Sequence, residues 1–392
     1  MKKVELSRLG DFVKIKTGKL DANASTIDGA YPFFTCSETP LRIASYSYDC
    51  ECILVAGNGD LNVKYYQGKF DAYQRTYIIE SIDKKRLNVR FLYYFMESYM
   101  DKLRALSIGG VIKYIKLNYL TDAQIFIPPL DEQIYIAQVL DQADHLRQQD
   151  RQLLTHYDQL VQAVFVDMFG DPVRNEKGWP IKNLGEVVSR IQIGPFGSLL
   201  HAEDYVEGGI PLINPMHIAD LKIHPGQGYS ITPTKLKELS NYKLKAGDVI
   251  MGRRGEMGRC ALVGNEETGW LCGTGSLFLS PSEKMQSLYL TYLLSRNSIK
   301  KLLEEKAQGA TMANLNATIL NNLKVPVPPA ETQQRFATAI AQIEAQKAAT
   351  QQLQTQSEAL FNSLLQQAFR GELKQLEPAT TPTAGQLALA LE

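Results

Sequence analysis

The sequence predicts an α+β fold made twice over: two similar globular domains of mixed helix and strand in tandem, each followed by a long helix. The two helices are expected to pair as an antiparallel coiled coil with pseudo-twofold symmetry. Three observations carry this expectation. At an offset of 200 residues, Ile127-Pro128-Pro129-Leu130-Asp131-Glu132-Gln133 falls on Val327-Pro328-Pro329-Ala330-Glu331-Thr332-Gln333. Without a gap, Leu140 then meets Ile340, Leu153 meets Leu353, Leu160 meets Leu360 and Phe169 meets Phe369. Each junction opens roughly 35 to 40 residues of heptad spacing, hence about 55 Å of helix at 1.5 Å per residue. A period this long marks duplicated domains rather than a solenoid, and a chain of 392 residues suits two cores.

In chain order, the first copy opens at Leu9-Gly10-Asp11-Phe12-Val13. The runs Cys52-Ile53-Leu54-Val55 and Thr76-Tyr77-Ile78-Ile79 read as strands, separated by Gly, Asn and Asp clusters that read as turns. Helical spacing takes over across 90–106, where Phe91, Tyr94, Phe95, Tyr99 and Leu103 recur at three and four. The Pro-Pro pair disfavours helix before it and is well placed to open one after it. The first seam then runs Ile136, Val139, Ala143, Leu146, Leu153, Tyr157, Leu160, Val164, interrupted by Asp150.

The second copy opens at Leu184-Gly185-Glu186-Val187-Val188, and Gly208-Gly209-Ile210-Pro211-Leu212 resembles Gly29-Ala30-Tyr31-Pro32-Phe33. Its strands include Val249-Ile250-Met251 and Leu277-Phe278-Leu279, and its helix covers 288–303. The openings are offset by only 175, so the second copy gains about 25 residues in its middle, where loops on a shared scaffold usually vary with recognition. Its seam runs Phe336, Ala339, Ile343, Leu353, Leu360, Leu364, interrupted by Gln346, Thr350 and Ser357. Each stripe is too narrow to be buried alone, so the other copy is the expected partner. The expected boundaries are 1–128 and 171–328 for the globular domains, 129–170 and 329–372 for the helices, and 373–392 for a disordered tail. Pseudo-twofold symmetry within one chain suits a reader of DNA half-sites, and a plain dimerisation coiled coil is the competing reading.

No basic and apolar leader follows Met1 and no apolar run nears 18 residues, so a cytoplasmic protein is expected. Cys36, Cys50, Cys52, Cys260 and Cys272 lack metal-ligand spacing and are expected to be reduced and mostly buried. The net charge of zero hides a division: 1–128 carries +4 and 171–328 carries +3, against −5 for 129–170 and −2 for 329–392. Any polyanion should therefore meet the globular parts, because phosphate attraction is a local field effect.

Catalytic signatures are missing. The sequence holds no nucleotide-binding G-x-x-x-x-G-K-[ST] loop, no H-E-x-x-H, and no Asn-Pro-Pro-aromatic tetrapeptide of an amino-group methyltransferase, since Asn214-Pro215 runs on into Met216-His217. His201, His217 and His224 read as solvated loop residues. What remains is polar, glycine-rich loop chemistry. Arg253, Arg254 and Arg259 lie on one turn and suit bidentate contact with guanine or phosphate, with a solvated hairpin as the alternative. The first-half counterpart offers Asn58, Lys64, Gln74 and Arg75, with an ordinary turn and strand as the alternative. Residues 107–114, holding Lys113, match 307–314, holding Thr311 and Asn314; the match marks either a DNA-facing loop or a required turn.

Taken together, the two junctions, the helices that follow them and the openings Leu9-Gly10-Asp11 and Leu184-Gly185-Glu186 resemble the specificity (S) subunit of type I restriction-modification enzymes, over residues 1 to about 372. The resemblance implies two target-recognition domains, each reading one half of an asymmetric bipartite DNA target, and a coiled coil that sets their spacing. It implies double-stranded DNA, two modification (M) subunits and restriction (R) subunits as partners, with the M subunits methylating adenine at N6. No cofactor is expected on this chain; S-adenosylmethionine, ATP and Mg would belong to the partners. The partner-facing and coiled-coil residues expected are Ile136, Val139, Ala143, Leu146, Leu153, Leu160, Phe336, Ile343, Leu353 and Leu360. The other readings are a protein-binding coiled-coil adaptor and a self-sufficient nuclease or methyltransferase.

Overall fold

A computed structural model describes residues 5–255, 257–307 and 314–373, and within it the chain divides into two units. The first holds the residues up to Gln152 and those from Thr350 onward. It runs β1 (Leu6–Arg8), β2 (Val13–Thr17), β3 (Tyr31–Phe34), β4 (Leu41–Ile43), β5 (Tyr48–Ala56), β6 (Val63–Ala72) and β7 (Thr76–Ser81). Then come α1 (Val89–Leu106), α2 (Leu117–Thr121), β8 (Gln124–Phe126) and the start of α3 (Leu130–Phe169). Six strands form one sheet in the order β2-β7-β5-β6-β3-β4, and β1 pairs with β8 to bring the start of the globular part to its end. Residues Cys52 to Ala56 of β5 are all buried, as expected of a strand covered on both faces. The Asn88 side chain caps α1 by accepting from the Phe91 N–H, and Phe91, Leu92, Tyr94, Phe95 and Met96 fill the core beneath it.

The second unit, Leu153–Ala349, repeats this plan. It runs β9 (Ile181–Asn183), β10 (Val188–Ile193), β11 (Tyr205–Val206), β12 (Ile210–Ile213), β13 (Ile218–Ala219), β14 (Lys222–Ile223), β15 (Ser230–Ile231) and α4 (Pro233–Glu238). There follow β16 (Val249–Gly252), β17 (Cys260–Leu262), β18 (Leu271–Cys272), β19 (Ser276–Pro281), α5 (Ser287–Ser295), α6 (Asn297–Lys306), α7 (Ala317–Asn321), β20 (Lys324–Pro326) and α8 (Ala330–Phe369). The order β10-β19-β16-β17 reproduces β2-β7-β5-β6, and the parallel pair β12/β18 reproduces β3/β6. β15 stands beside β12 as β4 stands beside β3, pairing Ile210 with Ile231 as Tyr31 pairs with Ile43, whereas β11, β13, β14 and α4 have no counterpart among the first unit's strands and helices. The helix expected across 288–303 is broken at Arg296, which is extended and holds its guanidinium over the Phe165 ring.

One buried glutamine joins each long helix to its globular part. Gln133 accepts from the Asn88 N–H at 2.8 Å and donates to the carbonyls of Arg86 and Pro128. Gln333 accepts from the Gln286 N–H at 2.8 Å and donates to those of Lys284 and Pro328.

Within the first unit, residues 130–152 of α3 lie antiparallel to 350–369 of α8; within the second, 153–169 of α3 lie antiparallel to 330–349 of α8. The Arg147–Glu358 ion pair in one unit has its equivalent in Lys347–Asp158 in the other. The paired face differs from the seam read in the sequence. Ile136, Ala143 and Phe336 are buried and Val139 and Ile343 half-buried, but Leu146, Leu153, Leu160, Leu353 and Leu360 are 40–53% exposed. The cause is that the polar interruptions are themselves the contact: Ser357 donates to Asp150 at 2.7 Å, and Arg147 lies over the Phe361 ring. The buried face keeps the seven-residue row of Ile136, Ala143, Asp150 and Tyr157, but its second row is Leu140, Arg147, Leu154 and Val161, one residue beyond the leucines expected there, so the leucine row is left outside.

Replacing Gln133 by Leu orphans one buried N–H and two carbonyls. We expect a loss of about 2–4 kcal/mol, read as a lower denaturation midpoint in urea, with Gln333→Leu costing a similar amount.

Candidate nucleic-acid interface

Sheet strands fix where the sequence-predicted loops emerge. In the first unit the loops that follow β2, β3 and β5, the turn from β6 to β7, and the segment before α2 gather at one end of the sheet. Gly18 donates its N–H to Thr76, Tyr73 to Phe34, Gly57 to Arg75 and Ile115 to Gly57, at 2.8–3.1 Å. The second unit makes the same four bonds: Gly194 to Ser276, Gly273 to Ile213, Arg253 to Gly275 and Leu315 to Arg253, at 2.9–3.0 Å. The two loop clusters thus share one backbone scaffold, and Arg253 stands where the first unit has Gly57. Gly18 and Gly194 have no room for a side chain, since an added Cβ would lie 2.0 Å from the Ala72 carbonyl oxygen and 1.9 Å from that of Gly273.

On this scaffold the side chains differ. Asn58 is half-buried and its Oδ1 accepts from the Cys36 thiol at 2.9 Å. Lys64 bonds Asn62 and is half-buried, and burial pushes its ammonium below the usual lysine range. Gln74, Arg75 and Lys113 are exposed, and neither cation meets an acidic side chain among the described residues. Two exposed cations over a glycine-lined floor make an anion-attracting edge.

In the second unit Arg253 is buried, with Nε donating to the Thr274 carbonyl at 3.1 Å; burial, then the charge of Arg254, holds its pKa below the usual arginine value. Arg254 beside it is half-exposed, and Arg259 is half-buried with Nη1 3.5 Å from the Pro215 carbonyl. Asn314 is half-buried and its Oδ1 has no partner among the described residues. Thr311 lies outside the described residues. The expectation of three solvated histidines holds for His201 and His224 but not for His217, which is 3% exposed. Its Nδ1 meets the Asn214 N–H at 3.2 Å and its ring packs on Tyr229, and burial pushes its pKa down.

The loops after β3 and β12 were not singled out in the sequence. The Asn214 side chain accepts from the Gly275 N–H at 3.3 Å, and Asn62 donates to the Cys36 carbonyl at 2.8 Å. The signal for them was the match of Gly29–Phe33 with Gly208–Leu212, because a shared strand implies that the loop after it is shared as well. All five cysteines are free, and Cys52, Cys260 and Cys272 are buried. No helix among the described residues is long and apolar enough to cross a membrane.

Two tandem units with one loop scaffold and two sets of polar side chains, each continued by half of a helix pair, define a duplicated recognition protein. The family model of the type I restriction modification DNA specificity domain matches residues 1–156 and 176–359, and the chain belongs to that family. It is 26% identical to the EcoDI specificity subunit of Escherichia coli over 93% of this chain and 87% of that protein. It is 21% identical to the MjaVIII specificity subunit of Methanocaldococcus jannaschii over 92% of each. The crystal structure of the type I system S subunit from M. genitalium shares the fold, with a TM-score of 0.59 at 18% identity over 96% of this chain and 98% of that one.

Placing a methyl group at Gly194 forces the two backbones apart. We expect Gly194→Ala to cost about 1–3 kcal/mol by overpacking. Both tryptophans, Trp179 and Trp270, lie in the second unit, so their fluorescence during urea unfolding reads the change there.

Proposed function

We infer that this chain works without catalysis of its own, as the subunit that chooses the DNA site for a type I restriction-modification complex. Its globular parts, 1–128 and 171–328, act as target-recognition domains, each reading one half of an asymmetric bipartite sequence. The observation that carries this reading is the set of four equivalent backbone bonds under two different sets of side chains. One scaffold used twice presents a loop cluster in each unit, while Asn58, Lys64, Gln74, Arg75 and Lys113 on one and Arg254, Arg259 and Asn314 on the other meet different base edges. Phosphate contacts position each domain and base contacts specify. Asparagine and glutamine suit adenine edges and arginine suits guanine.

The helices, 129–170 and 329–372, hold the spacing of the half-sites and carry the partner contacts. Leucines left exposed by the polar pairing face, Leu146, Leu153, Leu160, Leu353 and Leu360, are the apolar surface offered to modification subunits, which bring S-adenosylmethionine and methylate adenine at N6. Restriction subunits with ATP and Mg join the same assembly, which works in the cytoplasm. Ile136, Val139, Ala143, Phe336 and Ile343 serve the chain's own helix pairing. A coiled-coil adaptor would use the same leucines and leave the cationic loop edge without a role, so the DNA reading accounts for more of the surface.

The deciding experiment is a genome-wide map of N6-methyladenine with and without the gene. Loss of one bipartite asymmetric motif is expected; an unchanged map, with the complex expressed and partner-bound, would sink the reading. Burial divides the two adjacent arginines. Arg254→Ala should relax only the second half-site, by about 1–3 kcal/mol if the fork meets a base, with no change in stability. Arg253→Ala should lower the unfolding midpoint as well, because it strips the Thr274 carbonyl of its donor. Equal losses at both half-sites for Arg254→Ala would count against the assignment.

A further inference from the structure

The segment before α2 in the first unit presents the side chains of Val111 and Ile112 to water. Val111 is 102% exposed and Ile112 61%. This is a held conformation. Ile108 and Tyr114 exchange backbone bonds at 3.0 and 2.8 Å, and Gly59 donates to the Lys113 carbonyl at 2.9 Å. Gly109 sits at φ +123°, where an added Cβ would lie 2.4 Å from the Ile112 carbonyl oxygen, so the turn is closed around a position that only glycine fits. The fold therefore keeps an apolar dipeptide standing out of the same loop cluster that holds Asn58.

We propose that Val111 and Ile112 form an apolar reader that packs against base edges of the half-site bound by the first unit, its occupant being double-stranded DNA. The proposal rests on the DNA-reading role inferred above. The surroundings decide the occupant. Lys113 directly follows the tip and Arg75 lies on the neighbouring turn, neither with an acidic partner among the described residues; counted with Lys64 against the exposed Asp60 and Glu38 of the adjoining loops, they leave the ground around the tip net positive and attractive to a polyanion. Once phosphates are held there, a projecting valine and isoleucine reach a groove, where the thymine methyl and the faces of partly unstacked steps are the apolar surfaces available. Rigid presentation means that no ordering of the loop opposes the contact.

The test is the double variant V111S/I112S, assembled with the modification subunits and read by the N6-methyladenine map. Both side chains face water, so the thermal midpoint should stay within a degree or so of the parent. The expected result is relaxation at one or more letters of a single half-site, with roughly ten-fold more methylation at sites altered there, while the other half-site keeps its letters. The conservative swap V111I/I112V should retain the parent motif. A V111S/I112S map identical to the parent map would overturn the proposal and leave the specificity reading standing. Lost co-purification of the modification subunits would also overturn it, marking the tip as a protein contact. If the parent chain itself directs no bipartite motif, the reading beneath falls first and the proposal with it.

Discussion

A buried glutamine pins the start of each long helix to the globular part of its own unit. Gln133 and Gln333 each sit in the first turn of a long helix, just after a Pro-Pro pair, and each bonds the backbone at the entrance to an earlier helix of its own unit, α1 for Gln133 and α5 for Gln333. Proline sets where the helix starts, but it cannot set which way the globular part faces. The amide contributes to that, because it offers a donor pair and an acceptor in one plane to three backbone groups that have no other hydrogen-bond partner among the described residues. A hydrophobic residue of similar volume would fill the space and leave the angle undetermined, with buried polar groups unpaired. On the function proposed above, loops that read DNA and helices that hold partners need that angle fixed in each unit.

The polar contacts between the helix halves serve a related end. An apolar seam of leucines tolerates sliding by a heptad, since one leucine hole resembles the next. Asp150 with Ser357, Arg147 with Glu358 and Lys347 with Asp158 allow only one register. Such pairs contribute little net stability when partly exposed, so register is the more credible return on them. Taking the seam for themselves, they free the leucines for the outside.

The duplication, the strands Cys52–Val55, Thr76–Ile79, Val249–Met251 and Leu277–Leu279, and the helix starts were legible in the sequence, because period and proline punctuation report local physics. The helix face was read wrongly, since Asp150 and Ser357 register as interruptions until each is seen to be the other's partner. His217 and Arg253 were misjudged for a similar reason. A charged or polar residue in a glycine-rich loop looks solvated, and only the fold shows the Asn214 N–H and Tyr229 ring beside His217 and the Thr274 carbonyl that Arg253 meets. For the candidate site the sequence offers the loops Gly57–Lys64 and Gly252–Arg259 but not the exposure of their side chains, since burial separates Arg253 from Arg254 and sequence gives them the same letter.

That separation explains how one scaffold can serve two targets. Gly57 and Arg253 occupy equivalent backbone positions and make equivalent bonds. In the first unit the position is bare, the floor is glycine, and the neighbouring segment supplies an apolar tip. In the second, a buried guanidinium bonds the Thr274 carbonyl, and the next residue, Arg254, carries a half-exposed charge. The backbone bonds hold each loop cluster to the same plan within its own unit, so on the proposed function an exchange of what stands on them would change the letters read and leave that unit's backbone as it is. Recognition can therefore diverge between the two halves while assembly stays common to both, which is the division that a gene duplication needs if its second copy is to acquire a new target and keep its old partners.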